Sequence, residues 1–152
     1  GLSDGKRIRK QKIITEAIDK YGVKEADALR ILEAVGGFDI AGLAGVCIGG
    51  ALYHVPIVLD GVISMVAALL AERIVPGTKN YLIPSHKGKE LAMGRLAKEL
   101  NVETVIDANM ALGEGTGAVM MFSLLDIALS VYQDKTTFSD MNIEQYERFS
   151  HR

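Results

Sequence analysis

The chain has 152 residues, of which 49% are hydrophobic and 24% charged, and its net charge is −2. Such a chain is long enough to bury a core of its own, and its composition excludes global disorder. The 17 basic residues are outnumbered by 19 acidic ones, which argues against a nucleic-acid-binding protein. The single cysteine, Cys47, excludes an internal disulfide and a multi-cysteine metal site. We expect Cys47 to be a buried thiol in a reducing, cytoplasmic protein.

The apolar segments predict buried helices and no membrane span. The longest apolar stretch, Val62 to Ala71, contains only Ser64 as a polar residue and is about half as long as the roughly 20 residues that a spanning helix needs. The amino-terminal residues are charged and contain no apolar segment, so they do not have the pattern of a signal peptide.

The first part of the chain is predicted to be helical. Apolar residues at helical spacing predict a helix over 6–21, with Ser3 or Asp4 as its N-cap and Gly22 as its stop. A second helix is predicted over about 25–34. The first helix carries a run of basic residues, which is read either as a solvated face or as the source of one cation for a phosphate. These basic residues are Lys6, Arg7, Arg9, Lys10 and Lys12.

A third predicted helix, over 39–53, is unusually rich in glycine. Gly42, Gly45 and Gly49 recur every three or four residues, and each costs up to about 1 kcal/mol relative to alanine in a helix. This pattern predicts that another segment or another subunit approaches the helix backbone closely.

From residue 55 onward, three short apolar runs alternate with three helices. The runs are 55–59, 81–83 and 104–106, and the helices that follow them are 62–75, 89–100 and 118–132. This β-α-β-α-β-α order predicts a Rossmann-like α/β fold, in which a parallel sheet carries helices on both faces, with helical additions at the amino and carboxyl ends. The polar tail, 133–152, is predicted to form a short amphipathic helix.

Each predicted strand ends in a loop of small or reactive residues. Ligands of parallel sheets bind beyond the carboxyl ends of the strands, so we expect the three loops to meet on one rim. The loops are Asp60-Gly61, Ser85-His86-Lys87-Gly88 and the segment from Leu112 to Gly117.

Glu114 is the most distinctive of these residues, because it stands between two glycines just before a predicted helix. Two interpretations remain open on the local sequence: a functional carboxylate approached closely by a ligand, or a charge that only stabilises the helix start. The segment 115–117 is similar to a phosphate-cradling turn, but it is neither a P-loop nor a GxGxxG motif.

The histidines do not form a recognisable catalytic set. No aspartate stands at a triad-like spacing from Ser85 or His86, and no spacing of His, Asp and Glu indicates a metal. His86 is read either as a binding residue or as a surface residue beside a helix-capping serine. His54 and His151 are expected to be structural or exposed.

Four segments together resemble one enzyme family. These are VGGFDIAGLAG (35–45), VPIVLDGVIS (55–64), YLIPSH (81–86) and LGEGTGA (112–118), which are similar to segments of nicotinate-nucleotide:dimethylbenzimidazole phosphoribosyltransferases. The resemblance extends over nearly the whole chain but covers only the carboxyl-terminal two-fifths of a family member. It implies that 1–132 belongs to the large α/β domain, whereas 133–152 is a helical tail, either by itself or as part of a small helical domain.

The resemblance implies an activity. The family transfers phosphoribose from nicotinate mononucleotide to 5,6-dimethylbenzimidazole, which gives the α-ribotide and nicotinate for cobalamin assembly, without a metal or another cofactor. Glu114 matches the family's general base. The alternatives are the same reaction with a different base or a phenol, and an inactive fragment that needs the missing amino-terminal part.

The resemblance also implies binding residues and partners. Lys10 matches a phosphate-binding lysine, Leu112 would flank the base, and Lys87-Gly88 departs from the polar pair of many relatives. Further implied substrate-binding positions are Asp60, Gly61, Ser85 and His86 on the ribose and nicotinate side, and Gly113 and Gly115 beside Glu114. We expect a homodimer, or an association with a chain that supplies the amino-terminal part.

Overall fold

A computed structural model describes residues 3–111, 113–134, 136–137 and 139–144. Within these residues six α-helices accompany a small parallel sheet. The helices are α1 (Asp4–Tyr21), α2 (Ala28–Val35), α3 (Phe38–Leu52), α4 (Val62–Ile74), α5 (Leu91–Leu100) and α6 (Thr116–Gln133). The strands are β1 (Ile57–Leu59) and β2 (Leu82–Pro84), and a 3-10 turn over Thr78–Tyr81 precedes β2. The predicted α/β class with a parallel sheet is confirmed.

The six helices predicted before the tail are present, with ends shifted by up to three residues. Helix α1 begins after Ser3, whose side chain makes no capping hydrogen bond, and it ends at Gly22 with φ +62°. The start of α2 moves from 25 to 28, because the Asp27 carboxylate caps it by accepting a hydrogen bond from the Arg30 N–H at 2.8 Å.

The sheet is narrower than predicted. Strands β1 and β2 pair in parallel with Ile57 opposite Leu82, but the third run, 104–106, is reduced to a single parallel bridge between His86 and Ile106. Pro84 explains part of this difference, because it offers its carbonyl to the Val105 N–H but has no N–H of its own to donate. The expectation of three full strands is therefore wrong for the described residues, although the order of the three segments is as predicted.

The core lies between β1–β2 and helices α3, α4 and α5. Its largest fully buried apolar side chains are Leu59, Met65, Met93 and Leu100. The stretch predicted as a buried helix is α4, whose inner face is made of Met65 and three alanines, each 0% exposed. Small side chains at that face let α3 and α4 pack closely against each other.

Cys47 is part of this core, as predicted, and burial raises the pKa of its thiol. The thiolate is the reactive form, so a raised pKa leaves less of it at neutral pH. We expect iodoacetamide to modify Cys47 far more slowly in the folded protein than in urea. Mass spectrometry over a time course checks this, and equal rates in both conditions would contradict the buried placement.

One glycine of α3 is required by a close approach. A Cβ at Gly50 would overlap the side chain of Ile57 and the carbonyl of Val55, so Gly50 lets the chain turn from α3 into β1. Gly42, Gly45 and Gly49 have open space around the position of a Cβ within the described residues. Their predicted role in packing against another surface stays a prediction.

The chain divides into two compact units between Met121 and Phe122. The predicted domain boundary after residue 132 concerns the family's domains and stays a prediction. The described part of the tail, 136–137 and 139–144, forms turns and no helix, and His151 lies outside the described residues. By length and composition α6 meets the requirements for a membrane span, which is weak evidence when a single helix does so.

Candidate functional site

Two of the predicted loops and the start of α6 meet at the carboxyl ends of the strands. Asp60 is their junction: its main-chain carbonyl accepts a hydrogen bond from Ser85 Oγ at 3.1 Å, and its carboxylate accepts one from the Ala118 N–H at 3.1 Å. A carboxylate at a helix N-terminus satisfies a free N–H and interacts favourably with the helix dipole. Asp60 thus connects the end of β1 to the end of β2 and to the first turn of α6.

His86 and Gly117 complete what we call the rim cluster, which consists of Asp60, Ser85, His86 and Gly117. Ser85 is 0% exposed and His86 is 7% exposed, and Ser85 Oγ lies 3.0 Å from His86 Nδ1. A Cβ at Gly117 would overlap the imidazole ring of His86. The absence of a side chain at 117 is therefore what allows the imidazole to lie against α6.

Glu114 lies in a loop with an uncommon backbone. Gly113, Glu114 and Gly115 all have positive φ, at +80°, +57° and +80°. A non-glycine residue in this region costs about 1–2 kcal/mol, and such strain is concentrated at functional sites. The turn is closed by Thr116, whose Oγ donates to the Gly113 carbonyl at 2.7 Å. The result is an exposed carboxylate immediately before α6.

A groove of about 380 Å³ begins at Lys87, the residue after His86, and we call it the loop groove. Its walls come from the segments that follow β2 and Ile106, which are joined by an ion pair between Lys87 and Asp107 at 3.0 Å. Both side chains are more than half exposed, so the pair contributes little to stability. The lining residues are Lys87, Gly88, Lys89, Glu90, Leu91, Gly94, Asp107 and Asn109.

Lys10 lies in a second, larger groove of about 800 Å³ between α1, α4 and α5. We call it the basic groove, because Arg7, Lys10 and Arg95 line it and no acidic residue does so in the described part of the chain. Its other lining residues are Gln11, Ile14, Val66, Leu91, Ala92 and Leu96. Leu91 lines both grooves, so the basic groove and the loop groove are neighbours.

The remaining predicted site residues are placed as follows. Gly61 stands at the N-cap of α4, where its carbonyl accepts a hydrogen bond from Ser64 Oγ. Leu112 lies outside the described residues. His54 is exposed directly after α3, and its Nδ1 lies 2.5 Å from the Tyr81 hydroxyl. His54 and Tyr81 precede β1 and β2, whereas the rim cluster lies beyond the carboxyl ends of these strands, so this hydrogen bond gives His54 a structural contact.

Sequence reasoning did not single out Gly117 or Arg95 as individual site residues. The signal for Gly117 is a glycine in the first turn of a helix, where most residues are better helix formers. Arg95 has no signal in the sequence, because only the tertiary arrangement of α1 and α5 places it in one groove with Lys10. Within the described residues there is no cluster of three or more His, Cys, Asp or Glu side chains that would hold a metal ion.

Comparison with known proteins gives consistent matches over almost the whole chain. The phosphoribosyltransferase family model (DBI_PRT) matches residues 1–143. The nicotinate-nucleotide–dimethylbenzimidazole phosphoribosyltransferases of Acetivibrio thermocellus and Clostridium acetobutylicum are each 44% identical over 147 residues, which is 97% of this chain and 42% of the relative.

A solved structure shares the fold. The crystal structure of CobT from Thermus thermophilus matches with a TM-score of 0.85 and 28% identity, over 96% of this chain and 43% of that one. The chain thus spans about two-fifths of the length of the relatives that it matches. With the family model matched over residues 1–143, the chain belongs to the phosphoribosyltransferase family.

Proposed function

We propose that the complete protein containing this chain transfers phosphoribose from nicotinate mononucleotide to 5,6-dimethylbenzimidazole or a related base, in cobalamin assembly. The observation that carries the proposal is the loop over Gly113–Gly115, which holds an exposed carboxylate in a strained conformation beside the strand ends. The names of the 44% identical relatives supply the nucleotide and the base.

In the proposed reaction Glu114 acts as the general base. Its carboxylate takes the N–H proton of the benzimidazole, while the other ring nitrogen attacks C1′ of the ribose from the face opposite nicotinate. A bond forms between that nitrogen and C1′, and the bond from C1′ to the nicotinate nitrogen breaks with its electron pair. Removing the proton keeps positive charge from building up on the attacking base.

The two grooves support the placement of the nucleotide. An ionised phosphate is an anion that only accepts hydrogen bonds, so cationic donors bind it well. Three cationic side chains line the basic groove, and one of them, Arg7, also pairs with Asp4 at 3.6 Å. Because Leu91 lines both grooves and the loop groove begins one residue after His86, one nucleotide is expected to reach from Lys10 toward the rim cluster. Asp60, Gly61, Ser85 and His86 would then lie on its ribose and nicotinate side, with Gly113, Gly115 and Leu112 near the base.

The direct test is an assay of the complete protein with nicotinate mononucleotide and dimethylbenzimidazole. Nicotinate and the α-ribotide should form in equal amounts, and neither should form without the base. Benzimidazole, phenol and p-cresol serve as alternative acceptors. If phosphoribose is transferred faster to a phenol than to dimethylbenzimidazole, the acceptor is a phenol and not the base proposed here. If it is transferred to no acceptor, the proposed activity is contradicted.

Lys10→Ala is expected to weaken binding of nicotinate mononucleotide by about 10- to 150-fold, because a hydrogen bond to a charged group is lost. Binding of dimethylbenzimidazole should change little. The matched control is Lys12→Ala on the same helix, because Lys12 is absent from the groove lining and pairs with Glu16 at 3.8 Å. Calorimetry checks both ligands, and an equal effect on both would argue against a phosphate role.

We further propose a cytoplasmic protein that is a homodimer or associates with a chain supplying the rest of the family's length. The buried single thiol supports a reducing compartment. Exposed apolar residues on α3, Leu43 and Val46, support a partner for that helix. Intact-mass analysis and light scattering on the purified native material test the association, and a monomer of this chain alone would contradict it.

A further inference from the structure

The tautomer of His86 follows from the hydrogen bonds around Ser85. The Ser85 hydroxyl has one proton, and the Asp60 carbonyl at 3.1 Å only accepts, so the hydroxyl must donate there for that contact to be a hydrogen bond. Ser85 Oγ then has lone pairs but no proton for His86 Nδ1 at 3.0 Å. Both contacts are hydrogen bonds when Nδ1 carries the proton and donates it to Oγ.

This assignment leaves Nε2 of the neutral imidazole as an acceptor. Nε2 has no hydrogen-bond partner among the described residues, although the side chain is more than nine-tenths buried. Every fully buried polar side-chain atom that the structure describes has a hydrogen-bond partner. Nε2 is therefore part of the small portion of His86 that reaches the surface, at the rim formed by the strand ends.

We propose that His86 is a nucleotide-positioning residue whose Nε2 accepts a hydrogen bond from a ribose hydroxyl. The inference rests on the proposed function, because that function brings a ribosyl nucleotide to the rim cluster. An unprotonated Nε2 disfavours phosphate or carboxylate oxygens, which present only lone pairs, and it selects a hydroxyl or N–H donor. The hydroxyls of the ribose are the donors that the nucleotide carries beside its reacting carbon.

The proton position has a test that does not depend on activity. Long-range ¹H–¹⁵N correlation spectra of the complete protein, recorded above the usual pKa of histidine and assigned with His86→Gln, distinguish the two neutral tautomers. We expect the protonated-nitrogen shift at Nδ1 and the unprotonated shift at Nε2. In Ser85→Ala this preference should be lost. A proton on Nε2 in the parent protein would overturn the assignment.

The hydroxyl contact is tested by two matched substitutions and by direct binding. Asparagine places a donor where Nδ1 stood but nothing at Nε2, whereas glutamine reaches the Nε2 position. His86→Asn should weaken nicotinate mononucleotide binding by about 3- to 10-fold, and His86→Gln should weaken it less. One of the two deoxy nucleotides, the 2′-deoxy or the 3′-deoxy form, lacks the contacted hydroxyl. For that nucleotide the affinities of His86→Asn and of the parent protein should be equal.

The results separate this inference from the proposed function. An equal loss in His86→Asn for the parent nucleotide and for both deoxy forms would overturn the hydroxyl contact. If the complete protein binds the nucleotide but transfers nothing, the activity fails while the calorimetric result still decides the contact. If the complete protein binds neither the nucleotide nor its deoxy forms, the hydroxyl contact is overturned. The spectra then decide only the tautomer of His86.

Discussion

Glu114→Gln is expected to lower kcat of the complete protein by about 10²- to 10⁴-fold, the usual contribution of a general base. Glutamine has nearly the same shape as glutamate, so the positive φ at 114 and the turn closed by Thr116 should persist. The free energy of unfolding should change by no more than about 0.5 kcal/mol, because the side chain is exposed. Nucleotide affinity should be nearly unchanged.

Steady-state release of nicotinate measures this effect, with Glu103→Gln as the control at another exposed glutamate. A second comparison uses acceptor bases with a more acidic N–H, because they depend less on proton removal and should lose less rate in Glu114→Gln. Turnover close to that of the parent protein with dimethylbenzimidazole would show that Glu114 is only a charge at the start of α6.

Gly117→Ala is expected to destabilise the fold by about 1–3 kcal/mol, the usual cost of overfilling a packed site. The new methyl group would overlap the imidazole ring of His86 most closely at Nδ1, the atom that contacts Ser85 Oγ at 3.0 Å. Either the ring leaves its place or α6 shifts. Because the Ala118 N–H is bound by Asp60, a shift of α6 would disturb that hydrogen bond and the loop that carries Glu114.

The matched control is Gly94→Ala, in the middle of α5. Open space surrounds the position of a Cβ there within the described residues, so alanine should stabilise the helix by up to about 1 kcal/mol. Urea denaturation compares the stability of the two variants, and the kcat of Gly117→Ala should fall below the parent value. Stabilisation in Gly117→Ala would contradict the contact between His86 and α6.

Much of the fold was predictable because its signals are local. Short apolar runs that alternate with helical segments indicated the order of helices and strands. Gly22 and Pro84 marked the ends of two elements, because the backbone restrictions of glycine and proline hold in any context. The third strand was overpredicted for a reason outside its own sequence. Residues 104–106 have strand-forming side chains, but among the described residues their neighbour in the sheet is β2. That strand ends in Pro84, which has no N–H to donate to them.

The candidate site was predictable in part. Glu114 between two glycines and the loop endings Asp60 and Ser85-His86 can be recognised in the linear chain, because unusual backbone and reactive side chains leave a trace in residue type. The sequence by itself determined the α/β class, the buried Cys47 and α4, and the resemblance from which the family and Glu114 were predicted. These properties depend on residue type and on periodicity along one segment.

Only the tertiary structure decided how these residues are connected. Three relations depend on how separate elements pack. Asp60 caps α6 through Ala118, 58 residues later, Gly117 makes room for His86, and Arg95 lines one groove with Lys10. The assignment of the His86 proton depends on this packing too, because it needs the Asp60 carbonyl and the Ser85 hydroxyl at known distances. Hydrogen bonds and steric contacts act over a few ångströms in space, and separation along the chain carries no information about which distant groups will meet.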